Sequence, residues 1–138
     1  FPMATRSTLT YLGGLRTHMT NEKSGEQIIT DAPLDNHGKG QAFSPTDLIG
    51  ASLLSCMVTV MGIEAEKKGW NIGDVEGSIE KTMTAAPRRV KQFEIEIRLR
   101  NHSLDQAQRD ALEYIALNCP VALSLHPEIT YATQFIYD

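Results

Sequence analysis

Cysteine is scarce in this 138-residue chain, which has only Cys56 and Cys119. That is too few for the disulfide scaffold of a small secreted domain, so in a reducing compartment the two are either plain core residues or a redox pair. With 6 prolines and 10 glycines, and 41% hydrophobic against 22% charged residues, the chain is neither disordered nor collagen-like. An excess of positive charge is missing as well: the formal net charge is −4 and the basic residues are scattered, so no nucleic-acid partner is expected. The opening stretch FPMATRSTLTYL lacks the basic, apolar and small-residue order of a secretory signal, which makes a cytoplasmic location the expectation. The charge-free run from Leu48 to Ile63 has 16 residues, short of the roughly 20 of a membrane span, so no membrane association is expected. Repeats and low-complexity segments are also absent.

What is present suits one domain over residues 1–138, since single domains commonly hold about 100 to 150 residues. STLTYL, LRTHMT and EQIITD, separated by Gly13-Gly14 and NEKSG, predict a three-stranded meander over 1–31. Residues 32–43 concentrate Pro, Asp, Asn and Gly and read as a loop. The GKG within it has the wrong spacing for a phosphate loop. Ser44 as cap, Pro45 at the first helical position and Asp47 at the third start a helix over 44–69, ended by Lys67, Lys68 and Gly69. Its charge-free middle predicts a buried central helix. A hairpin is expected over 74–100, with Val75, Ile79 and Met83 on one face of its first strand. Phe93, Ile95, Ile97 and Leu99 share a face of the second. Residues 103–125 predict an amphipathic helix capped by Ser103. Its stripe is Leu104, Ala107, Ala111, Leu112, Ile115 and Ala116, and a kinked continuation follows Pro120. A final strand spans 129–137. The order makes an α+β domain.

On the central helix Ser52, Ser55, Cys56 and Thr59 share one face, with Gly50 and Gly62 nearby. Such a small, mildly polar stripe suits close approach of another helix, and a partner subunit would supply the cover that one small sheet does not. Cys56 is equally readable as a small hydrophobe in a tight helix crossing. Cys119, pushed out of helical geometry by Pro120 and set at the start of PVALSL, is by local rules the more reactive thiol, because unpaired N–H groups favour a thiolate. His18, His37, His102 and His126 are dispersed without metal-ligand spacing, so no metal is expected and solvent-exposed or capping roles fit them. Arg88, Arg89 and Lys91 cluster at the hairpin turn, a solvated turn before an anion site. No Ser-His-Asp order is present.

The segment SPTDLIGASLLSC, followed 63 residues after Cys56 by NCP, in this order of strands and helices, resembles the OsmC/Ohr family of osmotically inducible and organic hydroperoxide resistance proteins over nearly the whole chain. The resemblance implies an OsmC-like fold, with antiparallel sheets around a long buried central helix, in an intertwined homodimer. It implies a cysteine-based peroxidase that reduces organic hydroperoxides without a cofactor: Cys56 attacks the peroxide, Cys119 resolves the sulfenic acid as a disulfide, and an external dithiol restores both. This assignment reverses the ranking from local rules. Arg16, in GGLRTH, matches the family's strand arginine. The family's glutamate is replaced by Thr46, and the nearest acid, Asp47, comes one position later and is one methylene shorter, which places the chain nearer the general OsmC-like branch. The alternative is a non-enzymatic OsmC-like dimer that binds a small apolar ligand or serves as a thiol redox sensor.

Overall fold

The computed structural model describes residues 4–138; the first three residues of the expected meander lie outside them. The chain divides into two compact units, Phe1–Leu48 and Ile49–Asp138.

In the first unit, β1 (Ser7–Gly13), β2 (Arg16–Asn21) and β3 (Gln27–Asp31) form an antiparallel sheet in chain order. The strands stand where the alternating segments predicted them. Asn21 organises the second turn, its Oδ1 accepting the backbone N–H groups of Lys23 and Ser24, the short-range bonding that makes Asn a turn residue. The following loop folds back on the sheet: Phe43 makes a β-bridge to Thr30 and its carbonyl accepts the Asp31 N–H. Gly38 permits that return, because a Cβ there would lie 1.7 Å from the Ala32 carbonyl oxygen. The loop ends in Ser44, which starts α1 (Pro45–Lys68). Ser44 Oγ accepts the Asp47 N–H at 3.0 Å and Asp47 Oδ2 accepts the Ser44 N–H at 3.0 Å, the reciprocal capping box expected of this sequence.

In the second unit, β4 (Asp74–Ala85) and β5 (Arg88–Arg100) form the expected hairpin, followed by α2 (Gln106–Leu117), α3 (Pro120–Ser124) and β6 (Thr130–Tyr137). The antiparallel arrangement holds for β4 and β5, but β6 runs parallel to β5, so this sheet is mixed, in the order β4-β5-β6. The chain must cross back over the sheet through α2 and α3 before β6 begins, and such a crossover is what a parallel pairing requires. Phe93, Ile95, Ile97 and Leu99 are buried on one face of β5, the period of two read from the sequence. Against them lie Leu53, Met57 and Met61 of α1 and Leu112 and Ala116 of α2, each fully buried.

Two expectations need correction. α1 has 24 residues and is long and apolar enough to cross a membrane by length and composition, which its 16-residue charge-free run did not suggest. Only one face of it is buried: Gly50, Leu53, Met57, Met61 and Ala65 recur every three or four positions and lie in the core of the second unit, the spacing of a single helix stripe. Ser52, Ser55, Thr59 and Ile63 are exposed. The cap of α2 is Asp105, not Ser103: Asp105 accepts the Gln108 N–H at 2.8 Å and Gln108 Oε1 accepts the Asp105 N–H at 2.9 Å. Ser103 lies two positions early, its N–H bonded to the Asn71 carbonyl.

Candidate functional site: a thiol pair

Cys56 lies in the middle of α1, half-buried between the fully buried Leu53 and Met57. Cys119 reaches it from the far end of α2. Asn118 caps α2, and Pro120 has no N–H with which to continue it. Cys119 is therefore extended, at φ −67° and ψ 158°, and becomes the N-cap of α3. Its Sγ accepts the Ala122 N–H at 3.5 Å. Tyr131 on β6 fixes the end of α2 by donating its hydroxyl to the Leu117 carbonyl at 3.2 Å. Cys119 is 1% exposed, and its thiol is a close neighbour of Cys56, which packs against the same cluster. Both sulfurs are free thiols.

Burial pushes the Cys119 thiol above its ordinary pKa; the Ala122 N–H acts the other way, and the neighbouring Cys56 pushes it up further. The thiolate-favouring setting that local rules give Cys119 is outweighed by its burial. Helix-start N–H groups do reach the sulfur, but α3 has five residues, and removing a thiolate from water outweighs what one short turn returns. Cys119 is a proton-holding thiol beside Cys56.

Arg16 and Asp47 belong to the first unit, and neither partners the other through the bonds that define its place. Arg16 donates Nε to Asp31 Oδ1 at 2.7 Å and Nη2 to Asp31 Oδ2 at 2.8 Å. Nη2 also reaches Gln41 Oε1 at 3.0 Å. Asp47 closes the capping box of α1. Asp31 is 1% exposed. The Arg16 hydrogen bonds hold its carboxyl below the usual aspartate value, and Asp31 in turn raises the Arg16 guanidinium. Sequence reasoning missed Asp31 and Gln41. The signal for Asp31 was the meander itself: extending its register from the NEKSG turn sets Arg16 directly opposite Asp31.

The remaining candidates have ordinary roles. His102 and His126 accept the backbone N–H groups of Leu104 and Glu128, His18 is half-buried in β2 and His37 is exposed. Among the described residues no group of three or more His, Cys, Asp or Glu side chains is placed to hold a metal ion. Arg89 of the hairpin turn is paired with Glu128 at 2.8 Å. Gly50, expected to serve an approaching partner, faces its own sheet: a Cβ there would lie 2.9 Å from the Phe93 ring.

The family model for OsmC-like proteins matches residues 38–134. Among solved structures, a Psychrobacter arcticus protein named for osmotic stress induction and detoxification response is 44% identical. It covers 100% of this chain and 98% of its own, with a TM-score of 0.89. An organic hydroperoxide resistance protein from Legionella pneumophila is 18% identical over 97% of both chains, with a TM-score of 0.74. OhrB of Bacillus subtilis, another such protein, is 16% identical over 96% of this chain and 98% of its own, at 0.65. These last two share the fold. No curated protein matches the chain.

Proposed function

The chain belongs to the OsmC-like family, and from that premise we propose that it is a thiol peroxidase acting on hydroperoxides, organic ones foremost. The observation that carries this reading is the meeting of Cys56 and Cys119, 63 residues apart in sequence, as adjacent free thiols. The Cys56 thiolate attacks one peroxide oxygen and the O–O bond breaks; the second oxygen leaves as the alcohol after taking a proton, and Cys56 becomes a sulfenic acid. Cys119 gives its proton to the sulfenic oxygen as its sulfur attacks the sulfenic sulfur: the S–S bond forms and that oxygen departs as water. An external dithiol reduces the disulfide and returns both thiols. A half-buried thiol flanked by Leu53 and Met57 favours an apolar peroxide over a hydrated one. The resemblance assigns Arg16 to support the thiolate, since a nearby cation stabilises the ionised form.

The working form in this reading is a cytosolic homodimer. Leu9, Tyr11 and Leu12 of β1 are each more than half exposed, and an apolar surface of that kind on a soluble protein marks an interaction site. The outer face of α1, with Ser52, Ser55 and Thr59, offers small side chains to a close helix contact.

Stopped-flow oxidation of one reduced sample by an organic hydroperoxide and by hydrogen peroxide tests the reading. Fast consumption of the organic peroxide is expected, together with a Cys56–Cys119 disulfide found by mass spectrometry. Cys56→Ser abolishes consumption, whereas Cys119→Ser allows one oxidation and leaves a dimedone-trappable sulfenic acid. If no hydroperoxide yields the disulfide, the ligand-binding or redox-sensing dimer replaces the peroxidase.

A further inference from the structure

The resemblance puts Thr46 where a glutamate is expected, yet Arg16 does not lack a carboxylate. We infer that Asp31 is a positioning residue for Arg16, fixing the orientation of its guanidinium in place of the absent glutamate. The inference rests on the reading above for what Arg16 is for; the placement itself rests on the first unit alone.

Three features support it. Arg16 and Asp31 are direct neighbours across β2 and β3, a separation at which a short aspartate side chain suffices. The contact is two-pronged, through Nε and Nη2, so it sets the plane of the guanidinium as well as its distance. The anchor is also the better buried partner: the Asp31 side chain is 1% exposed and that of Arg16 27%. Asp31 is itself held. Its Oδ2 accepts the Gln41 N–H at 3.0 Å, its own N–H donates to the Phe43 carbonyl, and the Gln41 side chain returns to Arg16 Nη2. A carboxylate fixed by its own backbone and by a folded-back loop holds an arginine still, whereas Asp47 is engaged in capping α1.

The test compares Asp31→Asn, Arg16→Ala and the double variant in the full chain. Iodoacetamide alkylation of Cys56 against pH, in a Cys119→Ser background, reads the thiolate without requiring peroxidase activity; stopped-flow oxidation reads the rate. If Asp31 were only a countercharge, removing it would strengthen the field of Arg16 and lower the alkylation midpoint. Loss of positioning predicts the opposite sign. The midpoint rises, the rate constant with an organic hydroperoxide falls by about tenfold to a hundredfold, as misplacement of a positioning group does, and Asp31→Asn adds nothing to Arg16→Ala in the double variant. A midpoint unchanged or lowered in Asp31→Asn, or a loss that multiplies with that of Arg16→Ala, overturns the inference. Circular dichroism checks folding. Should Asp31→Asn not fold, Asp31→Glu, which keeps the charge and displaces the guanidinium by a methylene, is expected to show a smaller shift of the same sign, and identity with the wild type overturns the inference. Wild-type protein inert to every peroxide, with midpoints shifting as stated, sinks the peroxidase reading and leaves the role of Asp31 standing.

Discussion

The two units are organised by different forces. Every residue buried in the first is polar: Thr30, Asp31 and Ser44, among the described residues. Most of its large apolar side chains, Leu9, Tyr11, Leu12, Ile28 and Phe43 among them, are about half exposed or more. In the second unit the buried residues are hydrophobic and form one cluster around Phe93, Leu53 and Met57. A unit ordered by hydrogen bonds alone is weakly stabilised, because each bond replaces one to water and nets only about 1 kcal/mol. A fully buried leucine or phenylalanine contributes roughly 1.5 to 3 kcal/mol. The first unit therefore gains most from apolar cover, which a second copy would supply in the proposed homodimer.

The sharpest way to break this comparison is to delete core volume. Phe93→Ala is expected to destabilise the second unit by about 3 to 5 kcal/mol, read as the loss of urea-unfolding midpoint. Leu9→Ala costs the lone subunit little, since Leu9 is 56% exposed, so any large effect must come through assembly. Sedimentation tests that side directly. The wild type is expected to be dimeric at micromolar concentration and Tyr11→Asp to shift it to monomer; a folded wild-type monomer would show that the exposed apolar face of the first unit needs no partner.

Next in size are two glycines of α1. Gly50→Ala brings a methyl 2.9 Å from the Phe93 ring and is expected to destabilise by about 1 to 3 kcal/mol, the usual effect of overpacking. At Gly62 nothing lies within 4 Å of the added atom, so alanine is expected to stabilise by about 0.5 to 1 kcal/mol through helix propensity. Thermal melting of the two variants orders them, and equal effects would show that α1 does not pack through Gly50.

Two buried groups, one in each unit, respond to pH with opposite signs. Asp31 has a lowered pKa in the folded state, so its contribution is complete above the ordinary aspartate value near ~4. It is lost as pH falls through the lower folded value. Cys119 has a raised pKa, so its contribution is complete below the ordinary thiol value near ~8.5 and is lost as pH rises through the folded one. Asp31→Asn should flatten the acid limb of a stability profile and Cys119→Ser the alkaline limb; exchanged effects would refute the assignment. The smallest expected effect is a capping pair: Asp105→Ala costs about 1 kcal/mol and Ser103→Ala close to nothing.

The features legible in the sequence were those that local chemistry decides. The Ser44–Asp47 box and Gly69 bracket α1 to within a residue at each end, and the alternation along β5 names its buried face. What escaped was decided by partners distant in sequence. Asp31 reads as the last residue of a strand until the register sets it against Arg16. Gly50 reads as one of a stripe of small residues until Phe93 is laid against it. The thiolate-favouring turn at Cys119 is legible in its own sequence, but burial, which no turn reports, pushes its pKa the other way. The parallel direction of β6 follows from the crossover of α2 and α3, and its alternating sequence is the same for either direction.

That crossover has a consequence for how the protein folds. The pairing of β5 with β6 begins at Gln92 with Thr130, 38 positions apart, whereas each turn of the first meander joins strands through a few residues. Long loops close late because their entropy is lost before their contacts form. Until β6 docks, β5 carries one unpaired edge beside Phe93, Ile95, Ile97 and Leu99. Such an open apolar edge is a template for intermolecular strand pairing. Refolding yield should accordingly fall with protein concentration in proportion to the lifetime of this two-stranded intermediate, and an added charge on the free side of β5 should raise the yield while leaving the finished fold as it is.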